Sequence, residues 1–310
     1  MTNEQYLKNL SVPTGMVDAV IDTDTFNEID DQFAVSFMLL LKERINTKAI
    51  YAAPFFNSHS TSPEDGMQKS YDEILKLLHI LKMDDFNCNV YKGSKNYLPD
   101  ESTPVISDAA RHLAELAKSY SPDKPLYVIS IGAITNVASA LLIDPSIAEN
   151  IVIVWLGGNS LEMHNTLEFN MRQDIAAARV VMSSAAPFVQ LPCDGVVSQF
   201  STTGPELKFW LYDKTPIADY LARNTVREAE SYAAGRPWSR VIWDVTAVAW
   251  LLNDNDRYMM SRVQNIRLPE YDGHYSSIET GKMFRYVYFI RRDPLIKDLF
   301  NTLLAEGENK

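Results

Sequence analysis

Five carboxylates fall within ten residues, Asp22, Asp24, Glu28, Asp30 and Asp31 of DTDTFNEIDD, and the flanking stretches AVI and QFAVSFMLLL are apolar. At neutral pH such side chains repel one another unless a positive charge sits among them, and carboxylate oxygens suit a hard divalent cation. Asp22 and Asp24 alternate at the exit of an expected strand, so with Asp31 they can converge on one Ca²⁺ or Mg²⁺. Asp30 and Asp31 open an expected helix, whose positive dipole end favours their ionised form. The competing use of such a pair is to cap the helix.

The rest of the chain must position this cluster. Short β-branched runs at 16–22, 47–55, 88–93, 125–132, 150–158 and 187–194 predict strands, several of them apolar on both faces as in a covered parallel sheet. Helical periodicity predicts helices over 30–45, 63–82, 105–120, 134–143 and 174–184. The alternation defines an α/β fold, doubly wound around a mostly parallel central sheet and Rossmann-like, with a helical C-terminal part. A late pair of β-rich runs, 257–269 and 283–290, is joined by the turn-like YDGHYSS, and a final helix follows RRDP. No linker or repeat divides the chain, so residues 1–310 are expected to form a single domain. In open α/β sheets ligands bind beyond the carboxyl ends of the strands, where the cluster lies.

Composition narrows the partners. A net charge of −11 over 310 residues argues against nucleic acid or an anionic membrane and leaves small molecules and cations. No window is apolar for long enough to span a bilayer, and MTNEQYLKNL lacks the layout of a signal peptide, so a cytoplasmic protein is expected. Cys88 and Cys193 are too few for a disulfide framework and read as packing residues. The five histidines have no metal-ligand spacing; His164 and His274, in expected loops, are the two placed to reach a base.

VIDTDTF resembles the opening motif of haloacid-dehalogenase-type phosphatases, which would make Asp22 a nucleophile beside Mg²⁺. That family needs a later paired acidic motif, and CDGVV and YDGHY both lack its second carboxylate. The whole stretch is more similar to the signature of the inosine-uridine-preferring nucleoside hydrolases, Asp-x-Asp followed by Asp-Asp at a helix start. APFFN, VYKGSKNYL, ISIGAITNVASALLIDP, LEFNMRQDIAAARVV and WDVTAVA resemble further segments of that family in the same order.

The resemblance implies the nucleoside hydrolase fold and a Ca²⁺ ion held by Asp24, Asp31, the carbonyl of Ile131 and Asp244. The ion would also bind the ribose 2′ and 3′ hydroxyls and one water, for which Asp24 would be the general base. Asp30, Asn57, Asn165, Glu168 and Asn170 would hold the sugar, and the enzyme would release ribose and a free base. A homodimer or homotetramer is implied as well. Rival expectations are a nucleoside-binding protein without turnover and the phosphatase. The chain departs from the family in four places, one of them the absence of the His-Gly loop after the third-strand segment, where LPDESTPVISDAA stands. TFNEI lengthens the loop after Asp24 and brings Asn27 and Glu28 towards the substrate; IGAITN has alanine for proline; and Trp243 replaces the histidine that protonates the departing base in many members. Indole is no acid at neutral pH, so Trp243 is expected to stack on the base or to pack the helix start.

Overall fold

The computed structural model describes residues 1–305. Along the chain run α1 (Asn3–Asn9), β1 (Val17–Thr23), α2 (Asp30–Leu40), β2 (Ile45–Ala52), α3 (Pro63–Ile80), β3 (Val90–Lys92), α4 (Asp108–Leu116), β4 (Leu126–Ser130), α5 (Thr135–Ile143), β5 (Ile151–Leu156), α6 (Phe169–Gln173), α7 (Ile175–Ser183) and β6 (Phe188–Leu191). There follow β7 (Ser201–Thr202), α8 (Gly204–Trp210), α9 (Pro216–Ala233), β8 (Arg240–Val241), α10 (Val245–Trp250), β9 (Met259–Pro269), β10 (Tyr275–Ile290) and α11 (Arg292–Ala305).

Eight strands form the main sheet in the order β3-β2-β1-β4-β5-β6-β10-β9, and every neighbouring pair is parallel except β10 with β9. Burial on both faces explains the apolar runs. In β5, Ile151, Ile153 and Trp155 enter one core and Val152, Val154 and Leu156 the other, the period of two that a pleated strand imposes. Each such side chain contributes about 1.5–3 kcal/mol by leaving water. From β1 the chain builds outward through β2 and β3, then returns to the other side of β1 with β4. This reversal opens a crevice beyond the carboxyl ends of β1 and β4, where open sheets take ligands.

Several boundaries differ from the expected ones. The helix of 30–45 ends at Leu40, where the charged Lys42-Glu43-Arg44 intervenes, and β2 starts at Ile45. A 3₁₀ turn over Asp84–Asn89 shortens the strand expected at 88–93 to β3. The helix of 105–120 waits for its cap, since the Ser107 hydroxyl accepts from the Ala110 N–H at 3.1 Å. The late pair of β-runs is present, but its second strand is longer than expected, because β10 starts at Tyr275, inside the expected turn, and with β9 extends the main sheet. Cys88 is exposed rather than packed. Among the described residues, no helix is long and apolar enough to cross a membrane.

Candidate active site

The floor of the crevice is made by two helix starts that carry no side-chain cap. Ile29 occupies the cap position of α2 and makes no capping bond, so Asp30 and Asp31 are the first helical residues and are free of that task. Asp244 precedes α10 with φ −71° and ψ −28° and likewise makes no capping bond. One carboxylate oxygen from each of Asp30, Asp31 and Asp244 lies within 4.8 Å of the others. Thr23, at the end of β1, donates to Asp31.

Asp24 lies just past β1, fully buried, and neither of its carboxylate oxygens has a hydrogen-bond partner among the described residues. Its room comes from Gly132, where a Cβ would fall 2.8 Å from Asp24 Oδ1. The Trp155 indole fixes this backbone by donating to the Gly132 carbonyl at 3.1 Å. Asn170 Nδ2 donates to the carbonyls of Ile131 at 3.1 Å and Leu156 at 3.0 Å, tying the exits of β4 and β5 together. A carbonyl has two lone pairs, so Ile131 keeps one for another partner.

Buried like charges raise one another's pKa. Burial, reinforced by Asp31, pushes Asp24 well above the carboxylate range. Burial and Glu28 push Asp30 to about 7, burial and Asp30 push Asp31 to about 8, and Asp244 is raised well above normal by burial and then by Asp30 and Asp31. The nearby cation is Arg240, which pairs with Glu28 and lies 3.4 Å from Glu228; burial opposes its charge, but Asp30, Glu28 and Glu228 outweigh burial and hold it protonated. Four clustered carboxylates, one with both oxygens unpartnered, are the donor set of a hard cation, which would replace the protons these shifts call for. Asp30, Asp31 and Asp244 are the side chains whose oxygens lie close enough together to hold it, with Asp24 buried beside them.

Above the floor opens a cavity of about 300 Å³. Asp30, Asp31, Ile131, Glu168, Asn170, Trp243 and Asp244 line it, as do Asn27 and Glu28 of the longer loop. Glu168 turns out to cap α6: its carboxylate accepts from the N–H groups of Asn170 at 2.8 Å, Met171 at 3.0 Å and Gly158 at 2.8 Å. Burial raises its pKa against those three bonds.

Other expected residues, Asp24 among them, lie outside the lining. Asn57 is half-buried and donates to Asn27 Oδ1 at 2.6 Å, so it reaches the cavity wall through Asn27. Asn165 supports its own loop, its Oδ1 accepting from the Leu167 N–H at 2.9 Å. His164 and His274 pack edge to face at 5.4 Å. Asp22 sits behind the sheet end: Asn136 Nδ2 donates to it at 2.8 Å and the Ser130 hydroxyl at 3.3 Å, and burial raises it to about 7. Asn136 also donates to the Ala52 carbonyl at 3.3 Å and accepts from the Ser94 N–H at 2.7 Å.

Sequence reading missed Leu156, Leu167, Phe169, Arg172, Cys193 and Asp194 as lining residues. Cys193 and Asp194 follow β6 at its carboxyl end, so the strand-end rule applied there would have found them. Arg172 carried no such signal, because it lies on α6 and follows no strand end.

The sequence profile described as "Inosine-uridine preferring nucleoside hydrolase" matches residues 19–285. The chain belongs to this family. A "probable uridine nucleosidase 2" of Arabidopsis thaliana is 24% identical over 135 residues, a match covering 42% of this chain and 41% of that one. In three dimensions a plant nucleoside hydrolase superposes with a TM-score of 0.73 at 18% identity, over 93% of this chain and 99% of that one. A purine-preferring ribonucleoside hydrolase from Gardnerella vaginalis gives 0.71 at 18% identity, over 94% and 100%. At these identities the two superpositions establish the fold.

Proposed function

We propose that the chain is a Ca²⁺-dependent nucleoside N-ribohydrolase, releasing ribose and a free purine or pyrimidine. The observation that carries this reading is Asp24, fully buried behind the cavity lining with both carboxylate oxygens unpartnered and close enough to Asp31 and Asp30 to feel their charge. A bound Ca²⁺ would neutralise the cluster and acidify the water and hydroxyls it touches. Asp24 takes the proton from the attacking water as general base. Breaking the C1′–N bond builds positive charge on the ribose, which the surrounding carboxylates stabilise. Asp30 accepts from a ribose hydroxyl, and Glu168 and Asn170 wall the sugar. Two free cysteines support a reducing, cytoplasmic setting, and family membership supports a homodimer or homotetramer.

The phosphatase alternative asks Asp22 to attack substrate, and Asp22 is spent on hydrogen bonds from Asn136 and Ser130, whereas both oxygens of Asp24 have no partner among the described residues. A reducing-sugar assay over purine and pyrimidine nucleosides, with Ca²⁺ and with chelator, tests the proposal. Ribose release that needs the ion is expected. Nucleoside binding without turnover would favour the pure binder, and phosphate release from phosphate esters without ribose release would revive the phosphatase.

A further inference from the structure

The charges lining the cavity fall into those already matched and those left over. Glu28 is paired with Arg240, and Glu168 accepts three backbone N–H groups. Asp30, Asp31 and Asp244 form the cation cluster. Arg172 is the one basic residue among the described residues of the lining, and it is exposed. It forms no ion pair among the described residues, and its guanidinium rests on the Phe169 ring, 5.3 Å from the centroid. Asp194, the other exposed charge of the lining, is not its partner.

Position gives this arginine a meaning. It lies on α6, four residues after Glu168, so both occupy one side of that short helix. If the ribose diol lies at the carboxylate floor and the base against Trp243, the remaining arm of the sugar, C5′, is left to the α6 wall. A guanidinium is a planar fork that binds phosphate oxygens in pairs, and a solvent-facing cation matches a group that stays partly hydrated. Stacking on Phe169 holds the fork without using its N–H donors.

We propose that Arg172 binds an anionic substituent on the ribose C5′, so that the substrate class extends to nucleoside 5′-monophosphates. This rests on the N-ribohydrolase reading and adds one partner to it. The reaction balances without a co-reactant: the C1′–N bond breaks, water supplies the oxygen to C1′ and a proton to the base, and ribose 5-phosphate leaves.

The test measures kcat/KM for inosine and inosine 5′-monophosphate, and for uridine and uridine 5′-monophosphate, in Ca²⁺ buffer, for wild type, Arg172→Ala and Arg172→Lys. The readout is the monophosphate-to-nucleoside ratio. Arg172→Ala should lower it at least fivefold, with Arg172→Lys in between; a smaller drop overturns the proposal. Calorimetric titration with ribose 5-phosphate and with ribose separates this from the parent reading. If nothing is hydrolysed, the hydrolase reading fails, while tighter binding of ribose 5-phosphate than of ribose, lost in Arg172→Ala, still upholds the arginine's role. Equal binding of the two sugars overturns it.

Discussion

Two kinds of helix start stand in contrast in this protein. Around the scaffold, α3, α4, α8 and α9 each begin at a serine or threonine, Ser62, Ser107, Thr203 and Thr215, whose hydroxyl accepts from the backbone three residues on. At the cavity floor, α2 and α10 begin beside aspartates that make no such bond. The first kind satisfies orphan N–H groups and stabilises each helix by about 1 kcal/mol. The second leaves carboxylates concentrated, buried and mutually repelling, a local loss of stability in exchange for a place to bind charge.

The sharpest way to break this contrast is Asp24→Asn, which keeps the shape and removes the proposed proton acceptor. Ribose release should fall by at least about 100-fold in a reducing-sugar assay. Near wild-type turnover would end the mechanism.

Next comes the ion itself. Asp30 and Asp31 have folded pKa values raised to about 7 and 8, far above an unfolded carboxylate, so the metal-free folded state holds protons that the unfolded state gives up. That stabilisation is complete below the unfolded value, roughly pH 4, and is lost as pH rises through 7 to 8. Melting temperature in chelator should therefore fall across this window. Saturating Ca²⁺ should restore about 2–3 kcal/mol, more at the alkaline end because the ligands must be deprotonated. A Ca²⁺ effect independent of pH would contradict the assignment.

Trp243→Ala probes the approach to α10. If the ring stacks on the base, KM for nucleosides rises by an amount equivalent to about 1–3 kcal/mol. Ca²⁺ affinity stays near wild type, since Asp244 belongs to the carboxylate cluster, and a nitrophenyl riboside suffers less than inosine. Equal losses on both substrates with a lower melting temperature would assign the ring to packing. The smallest effect belongs to the scaffold: Thr215→Ala should cost about 1 kcal/mol in denaturant unfolding and leave KM unchanged.

What the sequence disclosed follows the same division. The parallel core was legible because strands buried on both faces are apolar throughout, and the carboxylate floor because its residues come close together in one stretch. Asp244 was found only through WDVTAVA, since nothing in local spacing links it to residues more than 200 positions earlier. The α6 wall was not legible. A five-residue helix capped by Glu168 is too short to show periodicity, so Phe169 and Arg172 did not stand out although both line the cavity.

Asn136 has a dynamic consequence. One buried amide grips Asp22 of β1, the last carbonyl of β2 and the Ser94 N–H of the loop after β3. The Ser94 proton belongs to no strand or helix, yet it is held by this amide with both residues fully buried. In deuterated water it should exchange as slowly as the central strands, marking this side of the crevice as built before any ligand arrives.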